Sequence, residues 1–101
     1  MNSLNFAIGD ADIKRTTLIK NMLQNSGSRV ICEEWDGPSL LRKIRSTMPD
    51  FVIVGYNISG MKGIEIARIL HNDRIAPVLL IADNSQDVLV RQIGSEHFPY
   101  I

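Results

Sequence analysis

Carboxylates and small residues are concentrated in four short segments, each of which lies at the end of an apolar run. The segments are residues 9–12, 33–36, 55–62 and 82–84. Asp10 and Asp12 are the residues best suited to chemistry, because carboxylate oxygens hold hard cations such as Mg²⁺ together with water and phosphate oxygens. Gly55, which opens the third segment, contributes no functional group. Without a carboxylate there, we expect Asp10 and Asp12 to be solvated or to cap a helix, and we predict no metal site.

The other reactive residues lack the partners that catalysis or metal binding would require. His71 and His97 have no second ligand at metal-binding spacing. Ser59 and Ser85 lie outside a G-x-S-x-G motif. The glycines of the third segment do not follow the G-x-G-x-x-G spacing of dinucleotide sites. We therefore predict that the protein is not an enzyme and uses no cofactor.

An alternation of apolar runs and helical patterns positions these segments. Strands are predicted at residues 4–8, 29–33, 51–54, 77–82 and 98–101, and helices near 12–25, 38–48, 64–71 and 85–93. The first helix carries an apolar stripe formed by Leu18, Ile19, Met22 and Leu23. The runs at 51–54 and 77–82 are apolar throughout, which is typical of central strands covered by helices on both faces.

This alternation predicts the α/β class, with a doubly wound parallel sheet. Loops at the carboxyl ends of the strands form the ligand-facing edge of such a sheet, so the four segments should lie together. We interpret residues 1–101 as a single domain. Because the sequence ends on an apolar strand without a following helix, we expect a partly uncovered sheet face and a longer natural protein.

Composition describes an ordinary globular domain without a charge-based partner. The 101 residues are 45% hydrophobic, and eleven basic side chains balance eleven acidic ones. No overall field attracts nucleic acid or an anionic membrane, and no secretory signal or membrane-spanning run is present in the sequence. The lone Cys32 cannot form an internal disulfide. We predict a cytoplasmic domain that binds neither nucleic acid nor membrane.

Several short patterns keep a fixed spacing. Asp10 to Asp12 end the first predicted strand, Pro49 and Asp50 precede the third, and Ser59, Gly60 and Gly63 follow it. In these patterns the chain resembles the receiver domain of bacterial response regulators, without insertion or deletion from residue 8 to 27 or from 49 to 63. The resemblance implies a flavodoxin-like fold of five strands in the order 2-1-3-4-5, with the final helix absent from this chain.

The same resemblance implies a degenerate phosphorylation site. Gly55 occupies the position of the phosphoacceptor Asp, Ala11 replaces an acid that would bind metal, and Ala82 replaces a Thr or Ser hydroxyl. Receiver chemistry transfers a phosphoryl group to the acceptor carboxylate with Mg²⁺ held beside it. The nucleophile, a metal ligand and the hydroxyl are therefore lost together, and Asp10 and Asp12 remain as a residual acidic corner.

The functional prediction is an atypical receiver that acts in signal transduction without phosphorylation and controls a transcriptional or antitermination output domain. We expect a protein partner or a homodimer to use the fourth helix and fifth strand. The candidate interaction residues are Trp35, Tyr56, Val88, Arg91 and Gln92. Residues 74–81, followed by Ser85 and Gln86, are most similar to receivers joined to the ANTAR type of RNA-binding antiterminator domain. The alternatives are a regulatory domain that binds a small molecule in the emptied pocket, and a conventional phosphorelay receiver.

Overall fold

Strands and helices alternate along the part of the chain that the structure, a computed structural model, describes, which is residues 3–81. In chain order the elements are β1 (Asn5–Gly9), α1 (Ile13–Asn25), β2 (Arg29–Glu34), α2 (Gly37–Thr47), β3 (Phe51–Gly55), α3 (Gly63–Asn72) and β4 (Val78–Ile81). The first four predicted strands and first three predicted helices are confirmed. The predicted fourth helix and fifth strand fall on residues 82–101, outside the described residues.

The helix boundaries follow from short polar signals in the sequence. Asp12 caps α1 by accepting a hydrogen bond from the Arg15 amide at 3.1 Å. Asp36 caps α2 in the same way by accepting from the Ser39 amide at 2.9 Å, and Pro38 lies in the first turn of that helix. Gly27, with φ of +89°, reverses the chain after α1. Capping by Asp12 confirms one of the two roles expected for that residue.

The sheet is parallel, and its described strands have the order β2-β1-β3-β4. This order agrees with the predicted 2-1-3-4 portion of the topology. In register, Gly9 is paired with both Glu34 and Val54, and Gly55 with Ile81. The carboxyl ends of the strands therefore meet at one edge, where the residues that follow β1, β2 and β3 are neighbours.

The main core lies between the sheet and the α2–α3 pair. It includes fully buried side chains from strands and helices, among them Val52, Val54, Leu80, Leu40 and Leu70. Helices α2 and α3 also contact each other across this side of the sheet.

The opposite face of the sheet carries α1, which contacts β1 and β2. Ile19 and Leu23 of its predicted apolar stripe are half-buried, but Leu18 and Met22 are exposed. Among the described residues, an apolar groove of about 200 Å³ runs between α1 and the β3–β4 half of the sheet. No helix within residues 3–81 is both long enough and apolar enough to cross a membrane.

Candidate functional site

The candidate site lies at the carboxyl edge of the sheet, where β1 ends beside β2 and β3. The Asp10 amide donates to the Glu34 carbonyl at 3.0 Å, which fixes the end of β1 to the end of β2. Gly55 ends the neighbouring strand β3. The structure thus brings Asp10, Gly55 and the segment after β2 together, as the sequence predicts.

Asp10 forms a buried ion pair with Arg15, which lies in the first turn of α1. Asp10 is only 3% exposed. The Arg15 Nε atom donates to Asp10 Oδ2 at 2.5 Å, and Nη2 donates to Oδ1 at 3.0 Å. The Asp12 amide donates to the same Oδ1 at 3.1 Å. A bidentate guanidinium neutralises the carboxylate and fixes its orientation. The expectation that Asp10 is a solvated carboxylate or a helix cap is therefore wrong, because α1 supplies its own cation.

Gly55 provides the space that the Asp10 carboxylate occupies. A Cβ atom added at Gly55 would lie 2.5 Å from Asp10 Oδ1, 2.6 Å from Cγ and 2.9 Å from Oδ2. Gly55 is not among the residues with positive φ, so glycine is needed here for space and not for backbone conformation. The expectation of an emptied pocket at Gly55 is wrong on the side that faces β1, since Asp10 fills it.

The donor set at this edge does not fit a divalent cation. Both Asp10 oxygens already accept hydrogen bonds, while Gly55 and Ala11 have no ligand atom in their side chains. Asp12 is exposed, and its Oδ1 caps the helix. Within residues 3–81 there is no group of three or more His, Cys, Asp or Glu side chains arranged to hold a metal ion.

The loop after β3 packs tightly against the start of α3. The Gly63 amide donates to the Tyr56 carbonyl at 2.9 Å. A Cβ atom at Gly63 would clash with the Gly55 carbonyl, so this close approach requires glycine. The Tyr56 side chain is buried in the main core. Tyr56 therefore does not point outward, and its predicted role as a contact for a partner does not fit this structure.

Trp35 follows β2 at the same edge, and its side chain is 60% exposed. Its carbonyl accepts a hydrogen bond from the Ser59 amide at 3.1 Å, which ties the segment after β2 to the loop after β3. This position is compatible with the predicted partner contact. Ala82, Val88, Arg91 and Gln92 lie outside the described residues.

Cys32 is a buried thiol in β2. Burial raises the pKa of the Cys32 thiol to about 11, and the negative charge of Glu34 adds to this effect. A thiol that stays protonated at neutral pH is a poor nucleophile. This environment is consistent with a structural role for Cys32 as a small buried residue.

Arg15 is the site residue that sequence reasoning did not identify. An arginine five positions after an aspartate gives no distinct signal, because residues five apart do not share a face of a helix. The contact arises because Asp10 precedes the helix, where the chain turns from β1 into α1. Two features of the sequence could have suggested this ion pair: a small residue at position 55, and an arginine close to Asp10 along the chain.

Comparisons with known proteins relate the sequence and the fold of this chain to those of response regulators. No protein-family model matches the chain. The chain is 31% identical over 77 residues to the chemotaxis protein CheY of Pseudomonas aeruginosa, a match that covers 72% of this chain and 62% of that protein. It is 25% identical over 69 residues to the DNA-binding transcriptional activator EvgA of Escherichia coli, covering 68% of this chain and 34% of EvgA. The match thus spans about a third of the length of EvgA.

Solved structures give the same result for the fold. The signal receiver domain of NarL from Mycobacterium tuberculosis superposes with a TM-score of 0.84 at 21% identity, covering 99% of this chain and 83% of that one. The receiver domain of RcsB from Salmonella enterica superposes with a TM-score of 0.88 at 14% identity, covering 99% and 77%. The chain has the α/β flavodoxin-like fold of response regulator receiver domains.

Proposed function

We propose that this chain is a receiver domain of a two-component signalling protein, and that its activity does not depend on phosphorylation at its carboxyl edge. The observation that carries the proposal is the Asp10–Arg15 ion pair, which occupies the space beside Gly55. The likeness to CheY and EvgA supports the signalling assignment.

Two features of the edge oppose phosphoryl transfer. Gly55 has no side-chain oxygen to attack a phosphoryl donor. In addition, the guanidinium of Arg15 already neutralises Asp10, so this buried carboxylate has no uncompensated charge to attract Mg²⁺. In metal-assisted phosphoryl chemistry a metal ion supplies positive charge. Here the guanidinium of Arg15 supplies positive charge beside Asp10.

Regulation would then come from a bound partner. A ligand shifts a conformational equilibrium only by its difference in affinity for the two states, and a partner protein can supply that difference without covalent chemistry. In this proposal the domain controls a transcriptional or antitermination output, as a protein-binding or dimerising module. The pairing surface proposed from the resemblance, the fourth helix with the fifth strand, falls on residues 82–101. The filled space beside Gly55 gives no support to a small-molecule site there.

Treatment with acetyl phosphate and Mg²⁺ tests the proposal. We expect no phosphoryl adduct in the intact mass, and no change in the amide NMR spectrum relative to a sample that receives acetyl phosphate without Mg²⁺. A phosphoryl adduct on the protein, with resonance shifts at Asp10 and Gly55, would show that the site is active and that the proposal is wrong.

A further inference from the structure

The backbone of an exposed tryptophan is fixed beside the candidate site. Trp35 is 60% exposed, although its backbone is fixed on both sides. Its carbonyl accepts from the Ser59 amide at 3.1 Å, and the Gly37 amide donates to the Ser59 carbonyl at 2.8 Å. Asp36, between them, forms a bridge with Ser59 and caps α2. A rigid aromatic side chain loses little conformational entropy on binding, and tryptophan is enriched among the residues that dominate interface energies.

A second large apolar side chain shares the surface around Trp35. Ile13, the first residue of α1, is 69% exposed. Trp35 and Ile13 both line a concavity of about 60 Å³, together with Asp10, Thr16, Glu33 and Glu34. We call Trp35, Ile13 and the carboxylates around them the Trp35 surface. Two exposed apolar side chains at one concavity offer an anchor for an apolar residue of a partner.

The charge of the Trp35 surface is negative, although the whole chain is neutral. The carboxylates that line its concavity are Asp10, Glu33 and Glu34, and two of them form ion pairs, Asp10 with Arg15 and Glu33 with Lys20. Three carboxylates and two paired cations leave an excess of one negative charge, which belongs to Glu34. Complementary charge steers association and disfavours acidic partners.

We propose that the Trp35 surface binds a basic amphipathic segment of a partner protein. An apolar side chain of that segment packs on Trp35 and Ile13, and a lysine or arginine side chain of the segment lies opposite Glu34. This inference rests on the proposed function, because it identifies the surface through which a partner regulates the domain. The partner would contact the edge that holds the Asp10–Arg15 pair.

A pair of synthetic peptides tests the chemistry of the Trp35 surface. One is an amphipathic helix of leucine and lysine, and the other has glutamate in place of every lysine. Trp35 is the only tryptophan of the chain, so its emission reports binding directly. Anisotropy of a labelled peptide gives the affinity for variants without tryptophan. We expect saturable binding of the lysine peptide with a blue shift of Trp35 emission, and at least tenfold weaker binding of the glutamate peptide.

Variants locate the interaction on the surface. Glu34→Gln should weaken binding by up to about fivefold, as expected for one exposed charge pair. Trp35→Ala should weaken it by roughly thirtyfold or more, the loss typical of an interface anchor. Glu65→Gln is the matched control, because it removes one exposed negative charge on α3 and should leave affinity unchanged.

Three results would overturn the inference: equal affinity for the two peptides, unchanged affinity in both Trp35→Ala and Glu34→Gln, or a change of oligomeric state in Trp35→Ala. The last result would assign the surface to a second copy of the chain. The acetyl phosphate experiment separates this inference from the proposed function. A phosphoryl adduct refutes the proposed function alone, whereas loss of peptide discrimination without an adduct refutes only the inference.

Discussion

The substitution Gly55→Ala should destabilise the protein chiefly by crowding Asp10. The added methyl group would lie 2.5 Å from Asp10 Oδ1 and 2.9 Å from Oδ2. The carboxylate cannot move away without losing its two hydrogen bonds to Arg15. Overpacking of a filled site costs about 1–3 kcal/mol. Displacement of Asp10 from its pair adds to that cost, so we expect a loss of roughly 2–4 kcal/mol in the free energy of unfolding.

The same substitution should stabilise the protein when the Asp10 carboxylate has been removed. In an Asp10→Ala background the methyl group finds the space that the carboxylate left. An alanine in a compatible conformation then restricts the unfolded chain and stabilises by about 0.4–1 kcal/mol. The resulting coupling energy between positions 10 and 55 should be roughly 2.4–5 kcal/mol, near or above the upper end for residues in contact.

Urea denaturation of the four proteins of this double-mutant cycle measures the coupling, provided that the slopes of the unfolding curves agree. Gly63→Ala is the matched control, because its methyl group would meet the backbone of Gly55 and Tyr56 and not Asp10. Its cost should be the same in both backgrounds. An equal cost of Gly55→Ala with and without Asp10 would refute the assignment of Asp10 as the group that fills the site.

Two further predictions concern phosphorylation and thiol chemistry. The single variant Gly55→Asp should accept no phosphoryl group from acetyl phosphate. When Ala11→Asp, Ala82→Thr and Arg15→Leu are added to it, intact-mass measurement should detect a phosphoryl adduct. An adduct on the single variant would show that the other changes are unnecessary. Because the pKa of Cys32 is about 11 in the folded protein and 9.0 in the unfolded one, folding favours the protonated thiol, and stability should decrease as the pH rises from 9 to 11. Urea midpoints measured across this range should fall further in the parent protein than in Cys32→Ala, and this difference checks the sign.

The alternation of elements was predictable because each signal is local. Asp12 and Asp36 precede helices as capping residues, and both accept the expected backbone hydrogen bonds. The apolar run from Phe51 to Val54 forms a central strand, with β1 on one side and β4 on the other. The exposure of Leu18 and Met22 was not predictable, since helical spacing defines a stripe but not how much of it the sheet covers.

The chemistry of the site depended on contacts between side chains and was harder to predict. The small residues at Gly55 and Ala11 are visible in the sequence, but the residue that pairs with Asp10 beside them is not. Arg15 reaches Asp10 across the junction between β1 and α1, and no periodic pattern records such a contact. Tyr56 was ambiguous for a related reason, because a single aromatic residue in a loop can point toward the core or toward solvent.

The dependence between Gly55, Asp10 and Arg15 has an evolutionary consequence. Restoring a side chain at position 55 first would place it against the Asp10 carboxylate. Losing Arg15 first would leave a buried carboxylate without the guanidinium that neutralises it. Each of these two changes is therefore unfavourable when it occurs first. They become acceptable only when they occur together. Folding stability therefore favours keeping Gly55, Asp10 and Arg15 together, whatever the selection on the activity of the domain.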